Sequence, residues 1–114
     1  MKTVWGKEYI YSDKFCCKYI ELKRGGVTGL SANFKTGKVV YVVGGKVILH
    51  IDEGGKLVKK ILKPFDTIFI PAFTHYKYEG KATISRIIEC SQEYKDKDES
   101  KLSDGYMKGK RDEN

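Results

Sequence analysis

Short apolar segments, rich in β-branched and aromatic residues, recur along the first 92 residues of the chain. The alternation of hydrophobic and polar positions is clearest in KVILHI, where Val47, Leu49 and Ile51 share one face and His50 lies on the other. This pattern is typical of a strand with one buried face, so we expect the first face to be interior and His50 to be a surface residue. The segments predicted as strands are YIYSDKF, CCKYIELK, VVYVV, KVILHID, KLVKKIL, TIFIP and TISRIIEC.

Turn-forming residues separate these segments at intervals of about ten residues. The turn signals are Gly25-Gly26, Thr36-Gly37, Gly44-Gly45, Gly54-Gly55, Pro64-Phe65-Asp66 and Glu79-Gly80. No segment before residue 93 has a convincing helical period. The pattern therefore predicts an all-β fold, an antiparallel sandwich or barrel.

The composition changes abruptly near residue 93, where a charged segment with few large apolar residues begins. Such a segment cannot form a core of its own. We therefore predict a barrel domain over residues 1–92 and a charged C-terminal extension over residues 93–114, lying outside the barrel. Four side chains could still tie the extension to the barrel or to a partner, namely Tyr94, Leu102, Tyr106 and Met107.

The charge balance is basic, with 22 Lys and Arg against 15 Asp and Glu and a net charge of +7. Within residues 1–92 the basic residues are scattered singly, with short pairs only at Lys23-Arg24 and Lys59-Lys60, so nucleic-acid binding is not the expected function. No apolar run approaches the ~20 residues that cross a bilayer, and no signal peptide is visible. We expect a cytoplasmic protein without a membrane partner.

The three cysteines are Cys16, Cys17 and Cys90, an odd number without a motif. On a strand, Cys16 and Cys17 point to opposite faces, so we expect no bond between them. We expect reduced thiols on small buried residues, as is common in the cytosol.

Several motifs occur in the order that one protein family shows. They are Trp5-Gly6, the basic stretch from Lys23 to Gly26, the strand end from Tyr41 to Gly45, and Pro64, Asp66, Ile70 and Pro71. Over residues 3–94 the chain resembles the cupin superfamily, within it the small cupins similar to mannose-6-phosphate isomerase-like proteins and the cupin domain of mannose-1-phosphate guanylyltransferases. The resemblance implies a cupin-type antiparallel β-barrel, a jelly-roll-like fold. Phe65 replaces a motif glycine, and Phe73 stands where a second turn glycine is common.

The family's metal ligands are a His-x-His pair, a Glu and a later His. By the resemblance, their positions fall on Ser31 and Asn33, on Lys38, and on Tyr76 or the neighbouring His75. A hydroxyl, an amide and an ammonium cannot replace three strong ligands, and the ammonium repels a cation. The segment SANFKTGK therefore resembles a cupin metal-site segment that has lost its metal, and no cofactor is expected.

The same positions form the predicted ligand site, with Lys38 supplying charge and the tyrosines stacking surface. Its residues are Ser31, Asn33, Lys38, Tyr41, His75 and Tyr76. The expected ligand is a sugar phosphate, a nucleotide sugar or a related polar small molecule. The cavity could instead be filled by Phe34, Phe69 and Phe73, which would leave no site.

Three functions stay open at this point. The first is a metal-free cupin that binds a small molecule or acts as an interaction module in carbohydrate metabolism. The second is a metal-independent sugar-nucleotide isomerase or epimerase, with His75 as the best candidate for the catalytic base and Tyr76 and Tyr41 beside it. The third is a cupin with an atypical metal site from His75, Asn33 and a cysteine. A homodimer is expected through an edge strand such as TVWGKEYIY or through a sheet face.

Overall fold

Twelve strands and no helix make up the residues described by a computed structural model, which are 2–12, 17–33, 36–91, 99–101 and 105–108. The strands are β1 (Gly6–Ser12), β2 (Cys17–Lys23), β3 (Gly26–Thr28), β4 (Ser31–Asn33), β5 (Lys38–Gly44), β6 (Val47–Glu53), β7 (Lys56–Leu62), β8 (Thr67–Ile70), β9 (His75–Gly80), β10 (Ile84–Ser91), β11 (Glu99–Lys101) and β12 (Gly105–Met107).

The strands form two antiparallel sheets. The first sheet has the order β1-β2-β10-β5-β8. In the second sheet β7 pairs with β6 and β6 with β9, while the other edge of β9 pairs with β3 and β4. These two short strands pair in turn with β12 and β11. The prediction of an all-β antiparallel fold is confirmed.

The interior between the sheets is apolar over most of its length. In β6 the side chains of Val47, Leu49 and Ile51 are buried, as the alternation predicted. From the first sheet Val40 and Val42 on β5 face them, together with other buried residues of β2 and β10. The core is thus built by inward-facing alternate positions of both sheets.

Five strands have no counterpart among the predicted segments: β3, β4, β9, β11 and β12. Four of them are only three residues long, too short to show a period. In β9 the expected turn at Glu79-Gly80 is part of the strand instead, since Val27 of β3 and Ile48 of β6 both pair with Glu79.

Two short strands in the described parts of the segment after residue 93 add to the second sheet, and the division into a barrel domain and an extension stays a prediction. β11 pairs with β4, and β12 pairs with β3 over Gly26–Thr28. The edges of β3 and β4 supply backbone hydrogen-bonding groups that a strand can satisfy, so a segment without a core of its own can still add to the sheet.

β1 is an edge strand of the first sheet, and Tyr9 on it is exposed. The homodimer stays a prediction, and this edge is one place where a second copy could pair.

No helix in the described part of the chain is long and apolar enough to cross a membrane.

Two exposed phenylalanines adopt a left-handed backbone, with φ of 74° at Phe65 and 61° at Phe73. Phe65 lies in the β7–β8 turn, where its N–H donates to the Val42 carbonyl at 2.8 Å. Both occupy positions where the sequence resemblance places glycine. A residue with a Cβ is strained in this region by about 1–2 kcal/mol, which glycine avoids.

Phe65→Gly is expected to stabilise the protein by up to about 1 kcal/mol, since relief of backbone strain exceeds the entropy that glycine adds to the unfolded chain. The Phe65 side chain is 75% exposed, so little packing is lost. Phe65→Ala is the matched control: it removes the ring but keeps the Cβ, and it should bring no gain. Urea unfolding measures both. Destabilisation by Phe65→Gly would show that strain at this turn is not significant.

Candidate functional site

The polar part of the barrel interior is organised around a lysine. Lys38 is the first residue of β5, and strand alternation directs its side chain inward with Val40 and Val42. The residue is only 7% exposed. Its Nζ donates to Tyr76 Oη at 2.7 Å and to Glu89 Oε1 at 3.2 Å. An ammonium at this depth is stable because it has an opposite charge and a hydroxyl oxygen as partners.

Glu89 connects this lysine to a second tyrosine. Glu89 lies on β10 and is buried, and its other oxygen, Oε2, accepts a hydrogen bond from Tyr78 Oη. Tyr76 and Tyr78 are neighbours on one face of β9, with ring centroids 5.6 Å apart in an edge arrangement. We call Lys38, Tyr76, Tyr78 and Glu89 the interior network.

A small cavity lies beside the interior network. Its volume is about 30 Å³, and it is lined by Trp5, Glu8, Lys18, Ile20, Thr28, Ser31, Tyr76, Tyr78 and Glu89. This space suits a water molecule rather than a sugar. The two other charged groups at its wall, Lys18 Nζ and Glu8 Oε2, are 3.7 Å apart. The charges around the cavity are therefore balanced in pairs.

A larger groove of about 530 Å³ is lined by Thr36, Gly37, Lys38, Val39, Phe69, Cys90 and Ser91, and Val39, Phe69 and Cys90 are exposed. Its volume is in the range of small-molecule sites. Lys38 lines this groove, whereas its partners Tyr76 and Glu89 line the small cavity. We call the larger space the Lys38 groove.

Three of the residues predicted for the ligand site lie together. Ser31 pairs with Tyr76 across β4 and β9, both line the small cavity, and Lys38 bonds to the Tyr76 hydroxyl. Asn33 belongs to β4, but its side chain lies outside the described part of the structure.

The other two predicted residues lie elsewhere. Tyr41 is on the outer face of β5, because its neighbours Val40 and Val42 point inward. His75 precedes Tyr76 on β9 and so points to the opposite face, where its side chain is 45% exposed and its Nδ1 is 3.9 Å from Asp52 Oδ2. Alternation along a strand therefore separates His75 from the interior network.

Neither Glu89 nor Tyr78 was among the six residues predicted for the ligand site. A signal existed for Glu89, because in TISRIIEC it shares the alternating face of Ser85 and Ile87, which makes it a charge on an inward face. Nothing in the sequence paired it with Lys38, which is 51 residues away.

The suggestion that phenylalanines fill the interior is not supported by their positions. Phe69 and Phe73 are 59% and 74% exposed. Phe34 lies outside the described residues. The interior space is instead occupied by the polar side chains of the interior network.

The residues at the expected metal position do not fit a cation. Ser31 and Tyr76 offer hydroxyls, and the Lys38 ammonium lies against the Tyr76 oxygen, where it would repel a divalent ion. In the described residues no three His, Cys, Asp or Glu side chains are grouped to hold a metal. His75 and the thiols of Cys17 and Cys90 lie on different sheets, so the geometry also gives no support to the atypical site.

A second buried carboxylate lies on the outer face of the second sheet. Glu79 is 1% exposed, and its oxygens are 3.1 Å from His50 Nε2 and 2.8 Å from Lys108 Nζ. Lys81 Nζ is 3.7 Å away. His50 was expected at the surface; it is on the outer face, but its side chain is only 11% exposed because it lies over Glu79.

The pKa values of this pair are both lowered. Burial lowers the pKa of His50, against the raising effect of its hydrogen bond to Glu79. Burial alone would raise the pKa of Glu79, but the hydrogen bonds from Lys108 and His50 and the lysine charges outweigh it. The pair is therefore a neutral imidazole donating Nε2–H to an ionised carboxylate.

Solved structures with a cupin β-barrel resemble this architecture. Bacillus subtilis oxalate decarboxylase, an enzyme with Mn(II) centres, matches 90% of this chain with a TM-score of 0.78 at 16% identity. Lactobacillus farciminis oxalate decarboxylase, in a formate complex, matches 90% with a TM-score of 0.78 at 15% identity. KdgF from Halomonas sp. matches 80% with a TM-score of 0.66 at 20% identity. The chain has a cupin-type β-barrel, as the sequence predicted.

These similarities concern the fold alone. The chain spans 29% and 32% of the two oxalate decarboxylase chains and 79% of KdgF. No family model and no curated protein sequence matches it.

The contribution of the Lys38–Glu89 ion pair to the free energy of unfolding is tested by a double-mutant cycle. Lys38→Met and Glu89→Gln should each destabilise the protein by about 3–5 kcal/mol, because each leaves a buried partner without its opposite charge. The double variant should cost clearly less than the sum of the two. Urea unfolding at neutral pH measures the three variants.

The matched control is the exposed pair of Lys60 and Glu53, whose Nζ and Oε2 are 2.9 Å apart with side chains 38% and 50% exposed. Lys60→Met and Glu53→Gln should couple by less than about 1 kcal/mol. Additive costs at Lys38 and Glu89 would contradict the interior pairing.

The His50–Glu79 pair predicts how stability depends on pH. Both folded-state pKa values lie below those of the unfolded chain, so the folded state binds fewer protons and stability falls as pH falls. The loss due to His50 begins near its ordinary pKa of 6.5, and the loss due to Glu79 begins near 4.5. His50→Gln keeps a hydrogen-bond donor for Glu79, and it should flatten the dependence of stability on pH between about pH 7 and 5. The loss of stability due to Glu79, which begins near pH 4.5, should remain. Thermal unfolding across pH measures this; an unchanged slope in the variant would exclude His50 as the cause.

Proposed function

We propose that the protein is a metal-free cupin-domain protein that binds a small polar molecule in the Lys38 groove. The observation that carries this proposal is the buried position of Lys38, hydrogen-bonded to Tyr76 and Glu89 at the place where the fold's metal would be expected. With an ammonium there, the interior offers hydrogen bonds and paired charge instead of metal coordination.

The lining of the groove supports a sugar-like ligand. Thr36 and Ser91 bring hydroxyls, and Phe69 brings an exposed aromatic ring. The Lys38 ammonium is held inside by Tyr76 and Glu89, and in this proposal the ligand reaches it from the groove. Hydroxyls and an ammonium hydrogen-bond a polyol, and an aromatic ring covers the apolar face of a sugar. The resemblance of the sequence motifs to those of mannose-phosphate-related cupins is a further reason to propose this class of ligand.

The ion pair between Lys38 and Glu89 affects which ligands of this class should bind more tightly. Glu89 Oε1 lies 3.2 Å from the ammonium and already balances it, so a phosphate at Lys38 meets a carboxylate that repels it. An uncharged sugar meets no such repulsion. We therefore expect an uncharged sugar to bind at least as well as its phosphate ester.

The isomerase or epimerase alternative is less well supported by the geometry. It needs a base and a tyrosine on one side of the substrate, whereas His75 and Tyr76 point to opposite faces of β9. Tyr41 points outward from β5, away from Tyr76. The three residues do not face one common space.

A binding screen tests the proposed function, with mannose and mannose 6-phosphate as a matched pair among sugars, sugar phosphates and nucleotide sugars. Lys38→Met should weaken binding of a hit about ten- to a hundredfold, the usual effect of losing a hydrogen bond to a charged group. His75→Ala and Tyr41→Ala are the control variants and should bind like the parent. Calorimetry below each variant's unfolding temperature measures the affinities.

Two results would contradict the proposal. If His75→Ala loses the ligand while Lys38→Met keeps it, the site is on the outer face of the second sheet. If none of the sugars, phosphates or nucleotide sugars binds at millimolar concentration, the groove is not a sugar site and the interaction-module alternative gains support.

A further inference from the structure

Two cysteines face each other on the outer side of the first sheet. Cys17 begins β2, Cys90 lies near the end of β10, and the two are directly paired in the antiparallel ladder. Their Sγ atoms are 3.6 Å apart. Both were expected to be small buried residues, but Cys90 is exposed and Cys17 is half-buried.

The backbone geometry at this pair is suitable for a disulfide. Directly opposed residues of antiparallel strands have Cα atoms about 4.5–5.5 Å apart, within the roughly 4.4–6.8 Å that a disulfide spans. The thiols already touch, so a bond requires side-chain rotation rather than movement of the strands.

The pair is also accessible to a reagent. Cys90 lines the Lys38 groove, whose volume of about 530 Å³ admits a small molecule. The pKa of Cys90 is raised, mainly by burial and further by the neighbouring Cys17 thiol and Glu89. Thiolate is the reactive form, so its reactions should accelerate as pH rises towards 9.

We propose that Cys17 and Cys90 form a redox-active dithiol site, which a low-molecular-weight disulfide converts into a cross-strand disulfide. The Cys90 thiolate attacks a sulfur of the oxidant, forms a mixed disulfide and releases one small thiol. The Cys17 thiolate then attacks the Cys90 sulfur and releases the second. The two protein thiols lose two electrons and two protons, and the disulfide of the oxidant is reduced to two thiols.

This site is next to the charged interior. Lys18 and Glu89 are the neighbours of the two cysteines, and strand alternation turns them inward to the wall of the small cavity. A bond between Cys17 and Cys90 therefore fixes, from outside, the two strands that carry these charges. It also closes a loop between positions 73 apart, which should raise the unfolding temperature by about 5–15 °C.

Single serine variants separate this pair from the third cysteine. Cys16→Ser keeps the proposed pair, whereas Cys17→Ser keeps Cys16 and Cys90, and Cys90→Ser keeps the two adjacent cysteines. Each folded protein is incubated with glutathione disulfide at about pH 8, quenched with acid and alkylated. Intact mass spectrometry then counts free thiols, internal disulfides and glutathione adducts.

The parent and Cys16→Ser are expected to lose two thiols and form an internal disulfide without a remaining adduct. Cys17→Ser and Cys90→Ser should stop at a glutathione adduct. Internal bond formation by Cys17→Ser at the rate of Cys16→Ser would overturn the proposal, and so would a parent that accumulates only adducts or linked dimers. Phenylarsine oxide, a dithiol reagent, gives a second measurement: it should bind stoichiometrically to the parent and Cys16→Ser but not to the other two variants.

Discussion

The buried ion pair of Lys38 and Glu89 is the constraint on which the polar half of this barrel depends. Both charges belong to the first sheet, whereas Tyr76 and Tyr78, which bond to them, belong to β9 of the second. Removing two charges from water is costly, and the cost is offset only when each finds its partners at close range. The interior network thus fixes how the two sheets face each other where the apolar core ends.

The same network shapes the proposed binding site. The Lys38 ammonium would repel a divalent ion at the place expected for a metal, and the cavity of about 30 Å³ beside the network has no room for a sugar. The Lys38 groove, at about 530 Å³, has space for such a ligand. Cys90 lines the same groove, so the proposed ligand site and the dithiol site are neighbours.

The sequence predicted the features that depend on local pattern. Alternation in KVILHI placed Val47, Leu49 and Ile51 inside, and motif order predicted the cupin-type barrel. The resemblance also brought Ser31, Lys38 and Tyr76 to one place, although their role as a binding site stays a prediction.

Features set by long-range pairing were not predictable in this way. Three-residue strands such as β4 form because they hydrogen-bond to a neighbouring strand, here β9, and not because their own sequence favours a strand. The partnership of Glu89 with Lys38 and the facing thiols of Cys17 and Cys90 both depend on register between distant strands. His75 was assigned to the site because it is adjacent to Tyr76, and adjacency on a strand means opposite faces.

The most direct test of the central claim is a crystal structure of the protein grown with excess Mn²⁺, with anomalous scattering recorded at the manganese edge. Our account predicts Lys38 Nζ in hydrogen-bond contact with Tyr76 Oη and Glu89 Oε1 and no anomalous peak between Ser31, Lys38 and Tyr76. A manganese ion bound there, with the Lys38 ammonium turned away, would contradict it.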